Sequence, residues 1–230
     1  MLQNITRKIL YSNLITDLIK TNKVLAIYLG GSKIYGLDSP ESNYDIIIIT
    51  KDYCLLNYNY TTLTIEDYQI DISIQPIEEL MNVLKEPFEF SDLQTLKNFL
   101  DITYMNNKNL LYKSKYFNNF LNYIQEHNEA IVTLLLYKLK NHLRFLIQPP
   151  VYTYTKELYH YLLVIYLLEN LKLSHELHLT SKQKEILKSF KISTQIPDVF
   201  YEILSKNTNY TQLISTYDYT KLYKEVKLYE

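Results

Sequence analysis

The chain has 230 residues, 47% of them hydrophobic and 21% charged, with a formal net charge of −1. This is an ordinary globular balance, long enough for one large domain or two small ones. It excludes a globally basic nucleic-acid binder, an internal disulfide (Cys54 is the only cysteine) and, for want of an apolar run of roughly 18 residues, a helical membrane span.

Taken from the N-terminus, Met1 to Lys8 lack the apolar centre of a signal peptide, so the expected compartment is the cytoplasm and no membrane partner is expected. Apolar residues from Ile5 to Ile19 recur at three- and four-residue spacing and predict an amphipathic helix over 4–21. Val24 to Leu29 reads as a short buried strand ended by Gly30 and Gly31. Tyr44 to Thr50, with isoleucine at every position from Ile46 to Ile49, suits a strand buried on both faces. Thr61 to Ile65 is a further strand. In the next, Ile70, Ile72 and Ile74 face one side while Asp71 and Ser73 face the other.

After Pro76 the pattern turns helical, beginning with Ile77 to Leu84. Helices are predicted over 91–103, 116–147 with a break near His127, 154–172, 181–189, 197–206 and 211–228. The expected fold class is α+β, a small mixed β-sheet followed by an all-helical C-terminal domain. The boundary falls near residue 88, dividing the chain into 1–88 and 89–230.

All three glycines of the chain, Gly30, Gly31 and Gly36, fall within seven residues. A glycine turn at the end of a strand leaves backbone N–H groups which, with the Ser32 hydroxyl, can hold phosphate oxygens. Beyond a spacer of ten residues after Ser32 come Asn43, Tyr44 and Asp45, entering the isoleucine strand. Alternation places Asn43 and Asp45 on one face, where Asp71 of a neighbouring strand can join them. Carboxylates beside a triphosphate are what Mg²⁺ requires. Two such ions would activate an attacking oxygen and stabilise the leaving pyrophosphate.

The run Gly31-Ser32, ten residues, Asn43-Tyr44-Asp45 resembles the signature of the DNA polymerase β-like nucleotidyltransferase superfamily, which is Gly-Ser, a spacer, Asp-x-Asp and a later third Asp. It is most similar to a family of nucleotidyltransferases of bacteria and phages, through Gly31, Ser32, Tyr35, Gly36, Leu37, Pro40, Glu41, Ser42, Tyr44 and Asp45. The resemblance is strong over residues 24–50 and fainter to about 85. It implies transfer of a nucleoside monophosphate from an NTP to an acceptor (an RNA end such as that of tRNA, a small molecule or a protein), with two Mg²⁺ ions. It implies catalytic and metal-binding roles for Asn43, Asp45 and Asp71, Asp71 lying nearest the acceptor. It also implies nucleotide-binding roles for Gly31, Ser32, Lys33 and Tyr35. The departure is Asn43, which stands where the family has the first Asp and removes one negative charge.

In the helical half, Lys138 and His142 lie four apart on one helix flank, with Lys140 and Arg144 on another. This cluster is expected to form a basic wall of the nucleotide cleft, with Lys138 and His142 contacting the nucleotide. His175 and His178 have no third ligand beside them in the sequence and predict no metal site. Two rival readings stand beside transfer: a catalytically inactive nucleotide- or RNA-binding protein, and an antitoxin-like nucleotidyltransferase that modifies a protein partner.

Overall fold

In a computed structural model the chain is described over residues 13–20, 24–39, 42–52, 60–65, 68–84, 93–104, 109–146, 155–190 and 198–205. The expected helix 211–228, the first nine residues of the expected helix 4–21, and Cys54 lie outside these. The four isoleucines of strand β2 (Tyr44–Thr50) divide between two cores. Ile46 and Ile48 join Ile70, Ile72, Ile74 and, from helix α1 (Asn13–Lys20), Ile15. Ile47 and Ile49 face the larger cluster, built with the C-terminal helices. Each fully buried isoleucine contributes roughly 1.5–3 kcal/mol. A one-residue slip would exchange the two faces and bury Asp45 and Asp71 on the wrong side, so the register is strongly specified.

The sheet is mixed and has the order β3-β4-β2-β1-β5. Strand β1 is Val24–Gly30, β3 is Tyr60–Ile65, β4 is Tyr68–Pro76 and β5 is Leu110–Lys113. Only β2 and β4 run parallel; the other pairs are antiparallel. β5 differs from the sequence expectation, which had only helices after residue 88. Its four residues are too few to display a two-residue period, and pairing with β1 is what makes them a strand. Residues on both sides of position 88 therefore build the sheet.

The remaining elements follow the predicted order. Helix α2 (Ser32–Tyr35) is a single turn, and α3 (Ile77–Met81) runs into a 3₁₀ turn. Then come α4 (Leu93–Tyr104), α5 (Phe117–Glu126), α6 (Asn128–Leu146), α7 (Thr155–Ser174), α8 (Ser181–Phe190) and α9 (Val199–Ser205). His127 interrupts the long helical stretch between α5 and α6, at the expected break. The fold class is α+β with a mixed sheet and a helical C-terminal part. Among the described residues no helix is long and apolar enough to cross a membrane.

An amide network fixes α4 to the sheet. Asn98 donates to Gln75 Oε1 at 2.9 Å, Gln75 donates to Thr95 Oγ1 at 3.2 Å, and Gln94 donates to Asn98 Oδ1 at 2.9 Å. Gln75 is the last polar residue of β4 before Pro76, so this network sets where α4 crosses the sheet face that carries Asp71.

Candidate active site

One row of residues crosses four strands. Gly30 lies opposite Asp45, Asp45 lies beside Asp71 in the parallel ladder, and Asp71 lies opposite Thr62. Residues paired in register project to the same face. Asp45 and Asp71 both open into a cleft of about 1010 Å³, along with Gly31, Ser32, Asn43 and Tyr60. The opposite wall comes from the helical part: Gln94, Lys97 and Asn98 of α4, Tyr159, His160 and Leu163 of α7, and Phe190 of α8.

The two carboxylates have opposite electrostatics. Burial alone would raise Asp71. Hydrogen bonds from Asn43, Thr62 and Tyr60 outweigh it and hold its carboxyl below the usual range. Asn43 Nδ2 donates to Asp71 Oδ2 at 3.0 Å, and Thr62 Oγ1 donates to Oδ1 at 2.7 Å. Asp45 is raised, first by burial and then by the Asp71 charge, against the pull of Lys97 and Lys33. Asp71 is therefore a fixed anion, while Asp45 wants a counter-charge.

This donor set fits a divalent cation. Mg²⁺ is held by one or two carboxylates, water and substrate phosphate oxygens. Asp45 and Asp71 supply the carboxylates, and Asn43, with its amide N–H turned to Asp71, keeps its carbonyl oxygen as a neutral donor. Among the described residues no three Asp, Glu, His or Cys side chains converge on one point. The set is one anion short of the Asp-x-Asp plus Asp pattern.

Gly31 is indispensable to this arrangement. It has φ of +82°, and a Cβ built there would lie 1.5 Å from Asp45 Oδ2. Gly36 closes the turn in the left-handed region at φ +66°, and Leu37 N–H donates to Ser32 O at 3.0 Å. Gly31→Ala is expected to push the Asp45 carboxylate out of the cleft and to cost about 1–3 kcal/mol in backbone strain. Urea unfolding measures that loss, and Gly36→Ala, where a Cβ would meet only the flexible end of Lys184, should cost less.

Asn43, Asp45, Asp71, Gly31 and Ser32 are thus brought together. The other expected nucleotide contacts are not. Tyr35 is a core residue, only 3% exposed, and its hydroxyl donates to Asp101 Oδ1 of α4. Lys33 lies 4.0 Å from Asp38 and over the ring of Tyr44, outside the cleft lining. Lys138 and His142 do not line the cleft either. The flank of α6 expected to be a basic wall is the seam with α7. His142 Nδ1 lies 2.6 Å from the Tyr161 hydroxyl, Lys140 pairs with Glu169 at 2.8 Å, and Lys138 is buried. Burial also lowers the His142 pKa, favouring the neutral ring.

The cleft's own cation is Lys97, which sequence reasoning passed over. Gln94, Lys97, Asn98 and Asp101 form an i, i+3, i+4, i+7 stripe on α4. By pattern alone such a stripe is a solvated helix flank. Nothing in one sequence says that it faces another part of the same chain.

Comparison with known proteins adds little to this geometry. No protein-family model matches the chain, and no curated protein matches it. Among solved structures, the crystal structure of a nucleotidyltransferase-like protein from Exiguobacterium sibiricum is similar at 14% identity, over 98% of this chain and 74% of that one, with a TM-score of 0.37. A likeness this slight assigns no chemistry.

Proposed function

We propose that the cleft binds a nucleoside triphosphate with Mg²⁺ and that the chain is a nucleotidyltransferase. The observation that carries this reading is the registered pair Asp45 and Asp71 beside the Gly31–Ser32 turn, at the mouth of a cleft walled by the helical part. The Ser32 hydroxyl and the backbone amides that follow Gly31 would receive the terminal phosphates. Asp45 and Asp71, with the carbonyl oxygen of Asn43, would hold the metal. Mg²⁺ bound there would supply charge neutralisation at the phosphates and polarise the α-phosphorus.

In the transfer itself, an acceptor oxygen forms a bond to the α-phosphorus as the bond to the β-bridging oxygen breaks. Pyrophosphate leaves with that electron pair. The acceptor proton passes toward Asp71, a carboxylate whose orientation is fixed by hydrogen bonds from Asn43 and Thr62. Lys97, facing Asp45, lends positive charge where phosphate oxygens would lie. The acceptor is an RNA end, a small molecule or a protein.

One observation favours a second reading, a nucleotide-binding protein without turnover. The Asn43 amide donates into Asp71 where the resembling family places a metal-bridging anion. The bond satisfies Asp71 without any cation.

Thermal melting with each NTP and Mg²⁺ tests the common part of both readings. A ligand at a hundred times its Kd should stabilise the fold by about 2.7 kcal/mol. Ser32→Ala should shrink that shift and Asp45→Asn should remove its dependence on Mg²⁺. No shift with any NTP at millimolar concentration would count against both readings. Labelled NTP incubated with RNA, cell extract and the protein itself separates transfer from binding and identifies the acceptor class.

A further inference from the structure

Asp101 is a carboxyl at the wrong depth. It is 1% exposed, in the last turn of α4, and neither metal binding nor transfer uses it. Tyr35 donates to its Oδ1. Its Oδ2 is buried and makes no hydrogen bond among the described residues. That oxygen nonetheless lies against the glycine turn: a Cβ on Gly30 would stand 3.3 Å from it, and the Gly31 N–H faces the same carboxyl without closing to a full bond. A helical turn earlier, Lys97 reaches the cleft and supports the charge of both Asp101 and Asp45. A buried acid with one unsatisfied oxygen is costly, and a fold that needed only stability would do better with an apolar residue there.

We propose that Asp101 is a positioning residue for the Gly30-Gly31-Ser32 turn, holding it in the shape that receives a triphosphate. Asp101 draws the Gly31 peptide inward, toward α4. Ser32, the next residue, is thereby left facing the cleft. Tyr35, at the end of the same helical turn, grips the other carboxyl oxygen, so the turn is anchored at both ends to one side chain of the helical part. The unsatisfied oxygen is the cost of an acceptor aimed at a backbone that must not drift. The role in ligand binding rests on the nucleotide reading above.

The test replaces the pair by apolar groups of similar shape, Asp101→Leu with Tyr35→Phe. Removing both partners together leaves no orphaned group and is close to neutral for folding. The double variant should melt at or above wild type at pH 7, yet bind ATP with Mg²⁺ roughly tenfold or more weakly, because the turn is no longer preorganised. Asp101→Asn, whose amide oxygen can still face Gly31, should retain most of the affinity. A purely structural role would not separate stability from binding in this way. Equal ATP affinity in wild type and a folded double variant would overturn the proposal.

A second measurement needs no nucleotide and no double variant. Protein labelled with ¹⁵N-glycine has three amide signals, one per glycine. Asp101→Asn exchanges a charged acceptor for a neutral one, so the Gly31 signal should move while Gly36 stays. An unmoved Gly31 signal would sink the positioning role even if wild type bound no ATP. Absence of ATP binding by wild type with a moved Gly31 signal would instead count against the nucleotide reading alone.

Discussion

Asn43→Asp should raise nucleotidyl transfer by about a thousandfold or more, equivalent to about 4 kcal/mol of transition-state stabilisation. The restored carboxylate would bring the metal-binding set to three anions and admit the second ion. NTP affinity should change far less, because the gained interaction acts mainly in the transition state. The structure adds a consequence for stability. Asn43 now donates a hydrogen bond to Asp71 at 3.0 Å. An aspartate there would set two carboxylates against each other, a repulsion of about 1–4 kcal/mol at roughly 4 Å. The variant should therefore melt below wild type in EDTA and recover with Mg²⁺, whereas wild type should respond to Mg²⁺ alone much less. Asp45→Asn in the restored protein should abolish turnover again. Turnover at background in Asn43→Asp with every NTP and acceptor pool would leave the binding-protein reading in its place.

Stability should fall as pH rises from about 4 to about 6, and Asp101 should be the main local cause. Burial pushes its carboxyl up to about 6, with Asp45 adding to the rise, while Lys97, the Tyr35 hydroxyl and the Gly31 amide pull it down. Its ordinary value is 3.8. Below the ordinary value both folded and unfolded chains hold the proton, and nothing changes. Between the two values the folded chain holds a proton that the unfolded chain has released, so each step up in pH favours unfolding. Above about 6 both are ionised and the loss is complete, at about 3 kcal/mol. Asp101→Asn cannot ionise and removes this component. Urea unfolding of the two proteins at pH 4, 5, 6 and 7 should give stabilities that diverge in favour of the variant as pH rises. Parallel curves would mean that Asp101 titrates as an ordinary carboxylate.

The strands at the centre of the fold were legible because their residues carry the whole signal. Four β-branched isoleucines in a row, in a segment of only seven residues, favour a strand buried on both faces. The alternation of Ile70, Ile72 and Ile74 with Asp71 and Ser73 sets which face each residue takes. Once those faces were set, the meeting of Asp45 and Asp71 followed from pairing alone. The glycine turn was legible for a similar reason: a chain with three glycines places them where the backbone needs them, at φ of +82° and +66° for two of them.

The far wall of the cleft was not legible. Lys138 and His142 carried the right charges at the right spacing, but His142 proved to lie at the seam between α6 and α7 and Lys138 to be buried. Tyr35 matched the motif and proved to be a core residue bonded to Asp101. Lys97, Gln94 and Asn98 took the place expected of the α6 residues. Helical periodicity tells which residues share a flank, but a polar flank can face water, another helix or a cleft with the same pattern. By itself the sequence determined the two-faced strands and the turn, because local period and burial decide those, while the pairing of β2 with β4 that sets Asp45 beside Asp71 is tertiary. The tertiary structure alone decided which helix closes the cleft and which acid is buried behind the turn, because that depends on how α4, α6 and α7 pack across the sheet, through contacts between residues far apart in the chain.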